Sequence, residues 1–225
     1  MKTAPEEHGD LMDIVYRRQR YFYDITRKYY LFGRDRLVRE LCLQPGERLV
    51  EVGCGTARNL IAIARLYPHS RLFGIDASEV MLDTARNAVR RAGLEERISI
   101  ARGYAEELTP GTLGEALPFD RAVFSYSLSM IPDWKSALHA AATAVRTQGR
   151  VHLVDFGDLG RLGKFPAWVL KAWLRQFHVT PRTELLHALE GPGATARNAA
   201  ETLWISPGRY SYLWSGPAET FRMWP

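Results

Sequence analysis

The sequence predicts an α/β domain wound around a mostly parallel sheet, and three observations predict it. From Gln44 onward, short apolar runs alternate with segments of helical period. The first of those runs, Leu49-Val50-Glu51-Val52, passes directly into the small-residue turn Gly53-Cys54-Gly55-Thr56-Ala57, where a backbone can approach a ligand closely. The last part of the chain reads as a β-hairpin, residues 201–206 and 209–214 around Pro207-Gly208. At 225 residues and 25.6 kDa there is room for one such domain and too little for two with linkers.

In chain order, residues 1–10 are expected to be disordered. Residues 11–44 form a helical cap: Leu11, Ile14, Val15, Phe22, Ile25, Phe32, Leu37, Val38 and Leu41 recur at mixed spacings of three and four, with a break at Gly33. Residues 45–225 form the core of the single domain. The turn Gln44-Pro45-Gly46 hands over to a first strand at 48–52. A helix at 59–67, a strand at 71–75, a helix at 78–92 with Ser78 as N-cap, and a strand at 97–101 complete one half, punctuated by Pro68 and Gly93. Residues 110–118 read as a loop or broken helix. Strand four spans 120–125, a helix spans 133–146 with Gly149 as its terminator, and strand five spans 150–156. A glycine-marked crossing at 157–163 leads to an aromatic, basic amphipathic helix at 165–179, then a helix at 181–190 and a Gly-Pro-Gly loop.

The formal net charge is +5, and the basic residues are mostly Arg, with Lys only at 2, 28, 135, 164 and 171. Cys42 and Cys54 are too few and too dispersed for a disulfide framework or a zinc site, so no metal is expected and a reducing, cytoplasmic setting fits. No apolar leader and no uncharged stretch of bilayer length is present, which points away from secretion or membrane spanning. Attachment to a membrane surface through an amphipathic helix stays open.

Asp76, at the end of the second strand, is an acceptor-only carboxylate suited to a vicinal diol, which implies a ribose. Two nucleotide classes use a strand, glycine turn, helix and second acid. A dinucleotide sets its pyrophosphate on the helix N-terminus and carries three glycines, but the third position here is Arg58, and its fingerprint has no use for Glu51. S-Adenosylmethionine has no phosphate; its amino-acid end and sulfonium suit an acid at the strand end and exposed carbonyls in the turn.

The run Glu51-Val52-Gly53-Cys54-Gly55-Thr56-Ala57 resembles motif I of the class I S-adenosylmethionine-dependent methyltransferases, with Ala57 in place of the last glycine. Asp76-Ala77-Ser78 with Met81, then Ala105-Glu106, then Phe119-Asp120 follow in that family's order. The resemblance implies a Rossmann-like fold with a seven-stranded sheet in the order 3-2-1-4-5-7-6, helices on both faces and an N-terminal helical extension. It implies S-adenosylmethionine as cofactor and S-adenosylhomocysteine as product. It puts Glu51, Gly53, Cys54 and Gly55 around the methionine part, Asp76 on the ribose, Met81 against adenine, and Ala77 among the cofactor contacts. Tyr104 stands where the family usually has an acid, with Ala105 and Glu106 beside it at the adenine edge. Ser125-Tyr126-Ser127-Leu128 falls where the family meets the methyl acceptor: Ser125 at the cofactor, Tyr126 and Ser127 holding an amine in line with the sulfonium methyl.

At the N-terminal end Tyr16, Arg20, Tyr23, Arg27, Tyr30 and Arg34 recur at spacings of three or four, a stripe on one face of a helix. Tyrosine rings hold methylated ammonium, and guanidinium pairs with carboxylate or phosphate. Tyr23 and Tyr30 are therefore candidate catalytic residues, and Tyr16, Arg20, Arg27 and Arg34 candidate substrate contacts. The segment 23–35, Val154-Asp155-Phe156-Gly157-Asp158 and the hairpin resemble bacterial diacylglyceryl-homoserine N-methyltransferases. That resemblance implies three successive methylations of a lipid amino headgroup at the inner membrane surface, anionic headgroups as a partner, and an enzyme supplying diacylglyceryl homoserine as another. Phosphatidylethanolamine N-methylation, a soluble small-amine methylase and a non-catalytic S-adenosylmethionine-sensing or membrane-binding module are the alternatives. Nucleic acid is not expected, since the aromatic residues come with aliphatic ones on amphipathic helices.

Overall fold

The computed structural model describes residues 31–176, 179–191 and 200–224. Helices α1 (Arg34–Glu40), α2 (Arg58–Leu66) and α3 (Glu79–Arg91) alternate with strands β1 (Arg48–Val52), β2 (Arg71–Asp76) and β3 (Ile98–Arg102). There follow β4 (Phe119–Ser125), α4 (Trp134–Ala144), β5 (Val145–Phe156), α5 (Lys164–Arg175), α6 (Thr183–Glu190), β6 (Thr202–Ile205), β7 (Ser211–Pro217) and α7 (Glu219–Arg222). The sheet order is β3-β2-β1-β4-β5-β7-β6. Strands β1 to β5 are parallel, and β7 runs antiparallel to both β5 and β6. This is the order and the antiparallel hairpin that the family resemblance implies.

Apolar side chains alternate across the strands, so the sheet buries both faces. Val50, Phe73, Phe124, Leu153 and Trp214 pack on one side with Leu138 of α4, Leu185 of α6 and Phe221 of α7. Leu49, Leu72, Val123 and Val154 pack on the other with Leu37 of α1, Leu60 of α2, Leu82 of α3 and Leu174 of α5. The segment leading into α1 is fastened to this second layer. The hydroxyls of Tyr126 and Ser211 both donate to the Phe32 carbonyl, and the Tyr67 hydroxyl, which accepts the Cys42 amide, faces the carbonyls of Val38 and Arg39.

Several expectations shift. The helix after β4 ends at Ala144, and β5 starts at Val145, so Gly149 lies inside the strand rather than ending a helix. Between Phe119↔Val145 and Arg121↔Arg150 the register jumps, a bulge on β5. Glycine is required there because a Cβ on Gly149 would sit 2.6 Å from the Asp120 carbonyl oxygen. Residues 110–118 hold a 3₁₀ turn at Pro110–Leu113. Ser78 caps α3 as expected, its Oγ accepting the Met81 amide at 3.3 Å. The turn of the hairpin is a 3₁₀ segment, Pro207–Arg209. Arg209 joins that turn to the rest by pairing with Asp158 after β5 at 2.8 Å and with Glu190 of α6 at 2.6 Å. The expected helix across 11–30, with Tyr16, Arg20, Tyr23, Arg27 and Tyr30, lies outside the described residues.

Candidate active site

In-register parallel pairing brings the C-terminal ends of β1, β2 and β4 to one edge: Val52 is level with both Ile75 and Phe124. The connections from β1 and β4 leave in opposite directions along the sheet. In open α/β sheets, the crevice at that reversal is where ligands bind.

The turn after β1 is hung on β2. The amides of Gly53 and Cys54 both donate to the Ile75 carbonyl, at 2.9 and 3.1 Å, and Gly55 donates to Asp76 Oδ2 at 2.8 Å. Asp76 Oδ1 accepts the Ser78 amide at 2.9 Å. A single half-exposed carboxylate thus orders the turn and the approach to α3. Gly53 has φ +73°, and a Cβ there would lie 2.6 Å from Ser127 Cβ, so glycine alone passes beneath the loop that follows β4.

A solvent-open cleft lies over this turn, lined by Glu51, Gly53, Cys54, Asn59, Ser125 and Arg34 among others. Glu51 is buried at the end of β1, and its Oε1 accepts Asn59 Nδ2 at 2.6 Å. The Arg34 side chain, 12% exposed, reaches the cleft from the first turn of α1. The Ser125 hydroxyl is buried on the cleft wall with no hydrogen-bond partner among the described residues. Such a group is satisfied when a polar ligand occupies the cleft. The Cys54 thiol is driven well above its ordinary range by burial, and the charges of Asp76 and Glu51 push the same way, so it is a neutral packing group rather than a thiolate nucleophile.

The remaining candidates fall in three places. Ala77 is half-buried beside Asp76, and Met81 is buried on α3. Tyr104, Ala105 and Glu106 are half-buried at the 3₁₀ segment Ala105–Glu107 that follows β3. Tyr126 and Ser127 do not line the cleft with Ser125. Tyr126, at φ +57°, turns its ring into the core against Phe156, and its hydroxyl donates to Phe32. Ser127 Oγ donates to the Val52 carbonyl at 2.7 Å and so ties the post-β4 loop to β1.

That loop is braced from behind by Asp155, part of the 154–158 run quoted for the resemblance but given no role there, and by Arg182, which the sequence did not single out. Asp155 Oδ2 accepts the Ser129 amide at 3.0 Å, and Oδ1 accepts its own neighbour Phe156 at 2.7 Å. Arg182 donates to the carbonyls of Leu128 and Ile131 at 3.0 and 2.6 Å. Burial raises the Asp155 carboxyl to about 6, against those hydrogen bonds and the nearby Arg182 charge. Asn59 was also missed, although its spacing of eight from Glu51, one helix start after the turn, is the available signal. Among the described residues no group of three or more His, Cys, Asp or Glu side chains could hold a metal, and no helix is long and apolar enough to cross a membrane.

Residues 49–149 match the family model described as "Methyltransferase domain". The chain is 30% identical over 154 residues to demethylmenaquinone methyltransferase of Bacillus cytotoxicus, covering 66% of this chain and 63% of that one. It is 26% identical over 196 residues to the ubiquinone/menaquinone biosynthesis C-methyltransferase UbiE of Syntrophotalea carbinolica, covering 85% of this chain and 77% of that one. The chain thus spans under two thirds of the first of these relatives. Among solved structures it resembles an S-adenosylmethionine-dependent methyltransferase from Aquifex aeolicus, with TM-score 0.59, 16% identity and coverage of 95% and 98%.

Proposed function

We propose that this chain, whose residues 49–149 match a methyltransferase-domain family model, is an S-adenosylmethionine-dependent methyltransferase that methylates the nitrogen of an amino-acid headgroup on a lipid, with diacylglyceryl homoserine as the substrate. The observation that carries this reading is the placement of Arg34. Arg34 lines the cleft with Ser125 and Glu51, its side chain nearly buried and its Nη2 3.5 Å from the exposed Asp35 carboxylate, so an acceptor bearing a carboxylate beside its nitrogen would meet a cation there.

The site fits the cofactor by its own chemistry. Asp76, the carboxylate expected at the ribose, sits on a turn that it orders, Glu51 and Asn59 line the cleft, and the Ser125 hydroxyl has no hydrogen-bond partner among the described residues. When bound, S-adenosylmethionine would supply a sulfonium methyl open to in-line attack at carbon by the acceptor nitrogen lone pair, the C–S bond electrons leaving on sulfur as S-adenosylhomocysteine. The nitrogen sheds its proton to solvent. The chain's own contribution is orientation and exclusion of water. Gly53 and Ser127 hold the floor against the post-β4 loop, Asp155 and Arg182 fix that loop, and Ser125 and Arg34 present a hydroxyl and a cation to the acceptor.

A second reading, methylation of a ring carbon on a demethylated menaquinone, is favoured by the names of the similar proteins. The two are separated by incubating the protein with labelled S-adenosylmethionine and, in turn, diacylglyceryl homoserine, phosphatidylethanolamine and demethylmenaquinone, with the products identified by mass spectrometry. Label on the homoserine nitrogen is the expected result. Label on a quinone ring or on ethanolamine alone overturns it.

A further inference from the structure

Helix α5 follows β5 at the cleft end of the sheet and packs on the same layer as α1. Leu174 is buried in that layer, with Leu170 and Trp173 half-buried against it. Three large apolar side chains elsewhere on the helix are exposed. Phe165 is 75% exposed, Trp168 62% and Val169 46%, at the i, i+3 and i+4 positions of one face. The two aromatic rings stack on each other, 6.3 Å apart at 28°. Large apolar side chains are exposed singly on most surfaces, but three adjacent ones on one helical face call for a partner.

The charge around this face selects the partner. Between Asp158 and Glu184 the sequence has no acidic residue, while Arg161, Lys164, Lys171 and Arg175 fall on or beside α5. Arg161 and Arg175 are exposed. A second copy of the chain, paired by a two-fold axis, would bring cations against cations, and three side chains fall far short of the roughly 800 Å² per partner of a standard interface. A polyanionic surface with an apolar interior satisfies both features: the rings enter the headgroup and acyl boundary, and the cations meet anionic headgroups.

We propose that the exposed face of α5 is the docking surface by which this protein sits on an anionic lipid bilayer. The proposal deepens the reading of a lipid-borne acceptor and supplies its geometry, since α5 and the Arg34 helix share one layer at the cleft end.

The test is co-sedimentation of the full chain with vesicles of phosphatidylcholine alone and of phosphatidylcholine with about one-third phosphatidylglycerol. The wild type is expected on the anionic vesicles, less so as salt rises, and the double variant Phe165→Ser, Trp168→Ser is expected to bind at least about tenfold more weakly. Calorimetric affinity for S-adenosylmethionine, thermal midpoint and turnover of a detergent-dispersed acceptor should be the same in both proteins, which separates docking from catalysis. Equal vesicle binding by the variant, or no binding by the wild type, overturns the proposal even if turnover in detergent is intact. A wild-type dimer in light scattering that the variant abolishes also overturns it, assigning the face to a second copy.

Discussion

Asp155 Oδ2 accepts the Ser129 amide at 3.0 Å, so a buried carboxyl on β5 fixes the loop that follows β4. Three residues earlier on the same strand lies His152, also buried, its Nδ1 2.9 Å from Ser215 Oγ. Burial shifts the two in opposite directions: Asp155 from 3.8 up to about 6, and His152 from 6.5 down to about 3, with the charges of Arg121 and Arg150 adding to the second shift.

The linkage signs follow from which state holds the proton. Between about pH 4 and 6 the folded state keeps the Asp155 proton and the unfolded chain releases it, so this group makes stability fall as pH rises. Over the same window the unfolded chain protonates His152 and the folded state does not, so that group makes stability rise with pH. The two contributions oppose each other in the wild type. In Asp155→Asn, which also loses one amide acceptor at a cost of about 1–3 kcal/mol, the thermal midpoint should climb more steeply from pH 4 to 6. In His152→Gln it should climb less or decline. Parallel curves for all three proteins would refute the assignment.

Asp76 organises the turn and is the proposed ribose partner, so a variant must separate these roles. Asp76→Asn retains a carbonyl acceptor for the Ser78 or Gly55 amide but loses the charge. Two charge-assisted bonds to a diol correspond to a loss of about a hundredfold in S-adenosylmethionine affinity. Calorimetry should show that loss with the protein still folded by circular dichroism, and unchanged affinity would remove Asp76 from the ribose.

At Gly53 the strain has two parts, a left-handed φ of +73° and a Cβ position 2.6 Å from Ser127 Cβ. Gly53→Ala should lower stability by about 2 kcal/mol or more, combining about 1–2 kcal/mol for the backbone with the overlap. Adding Ser127→Gly removes the overlap but leaves the backbone term, so the double variant should recover part of the loss and not all. Strict additivity in urea melts would show that the two residues do not meet.

The strands and the glycine turn were legible in the sequence because their causes are local. The bounds of β1 follow from its apolar run, and Ser78 caps α3 through its own side chain. The start of β5 was not legible: Val145 continues an alanine-rich helical pattern, and its strand pairing rests on Phe119, twenty-six residues away, followed by a bulge whose glycine mimics a helix terminator. The run Ser125-Tyr126-Ser127 reads in sequence as three hydroxyls on the ligand side, one for the cofactor and two for the acceptor. The left-handed φ at Tyr126 points its ring into the core, and Ser127 is taken by Val52, leaving Ser125 on the cleft. Which of three neighbours faces a ligand depends on the loop's tertiary brace at Asp155 and Arg182, and no local pattern encodes that.

Arg34 is the residue on which the acceptor class turns. Both a homoserine headgroup and the cofactor's methionine part carry a carboxylate, and an arginine lining the cleft with its side chain 12% exposed suits either. If Arg34 holds the acceptor, Arg34→Gln should raise KM for diacylglyceryl homoserine by about ten- to a hundredfold, the worth of one charge-assisted contact, with the S-adenosylmethionine Kd unchanged. Arg34→Lys should recover part of the loss, because the charge remains while the planar fork does not. A rise in the cofactor Kd with an unaltered acceptor KM would move the cation to the cofactor's carboxylate and leave the headgroup assignment without its main support. A neutral acceptor such as a quinone ring should be indifferent to the Gln variant, so the same substitution also separates the two acceptor classes.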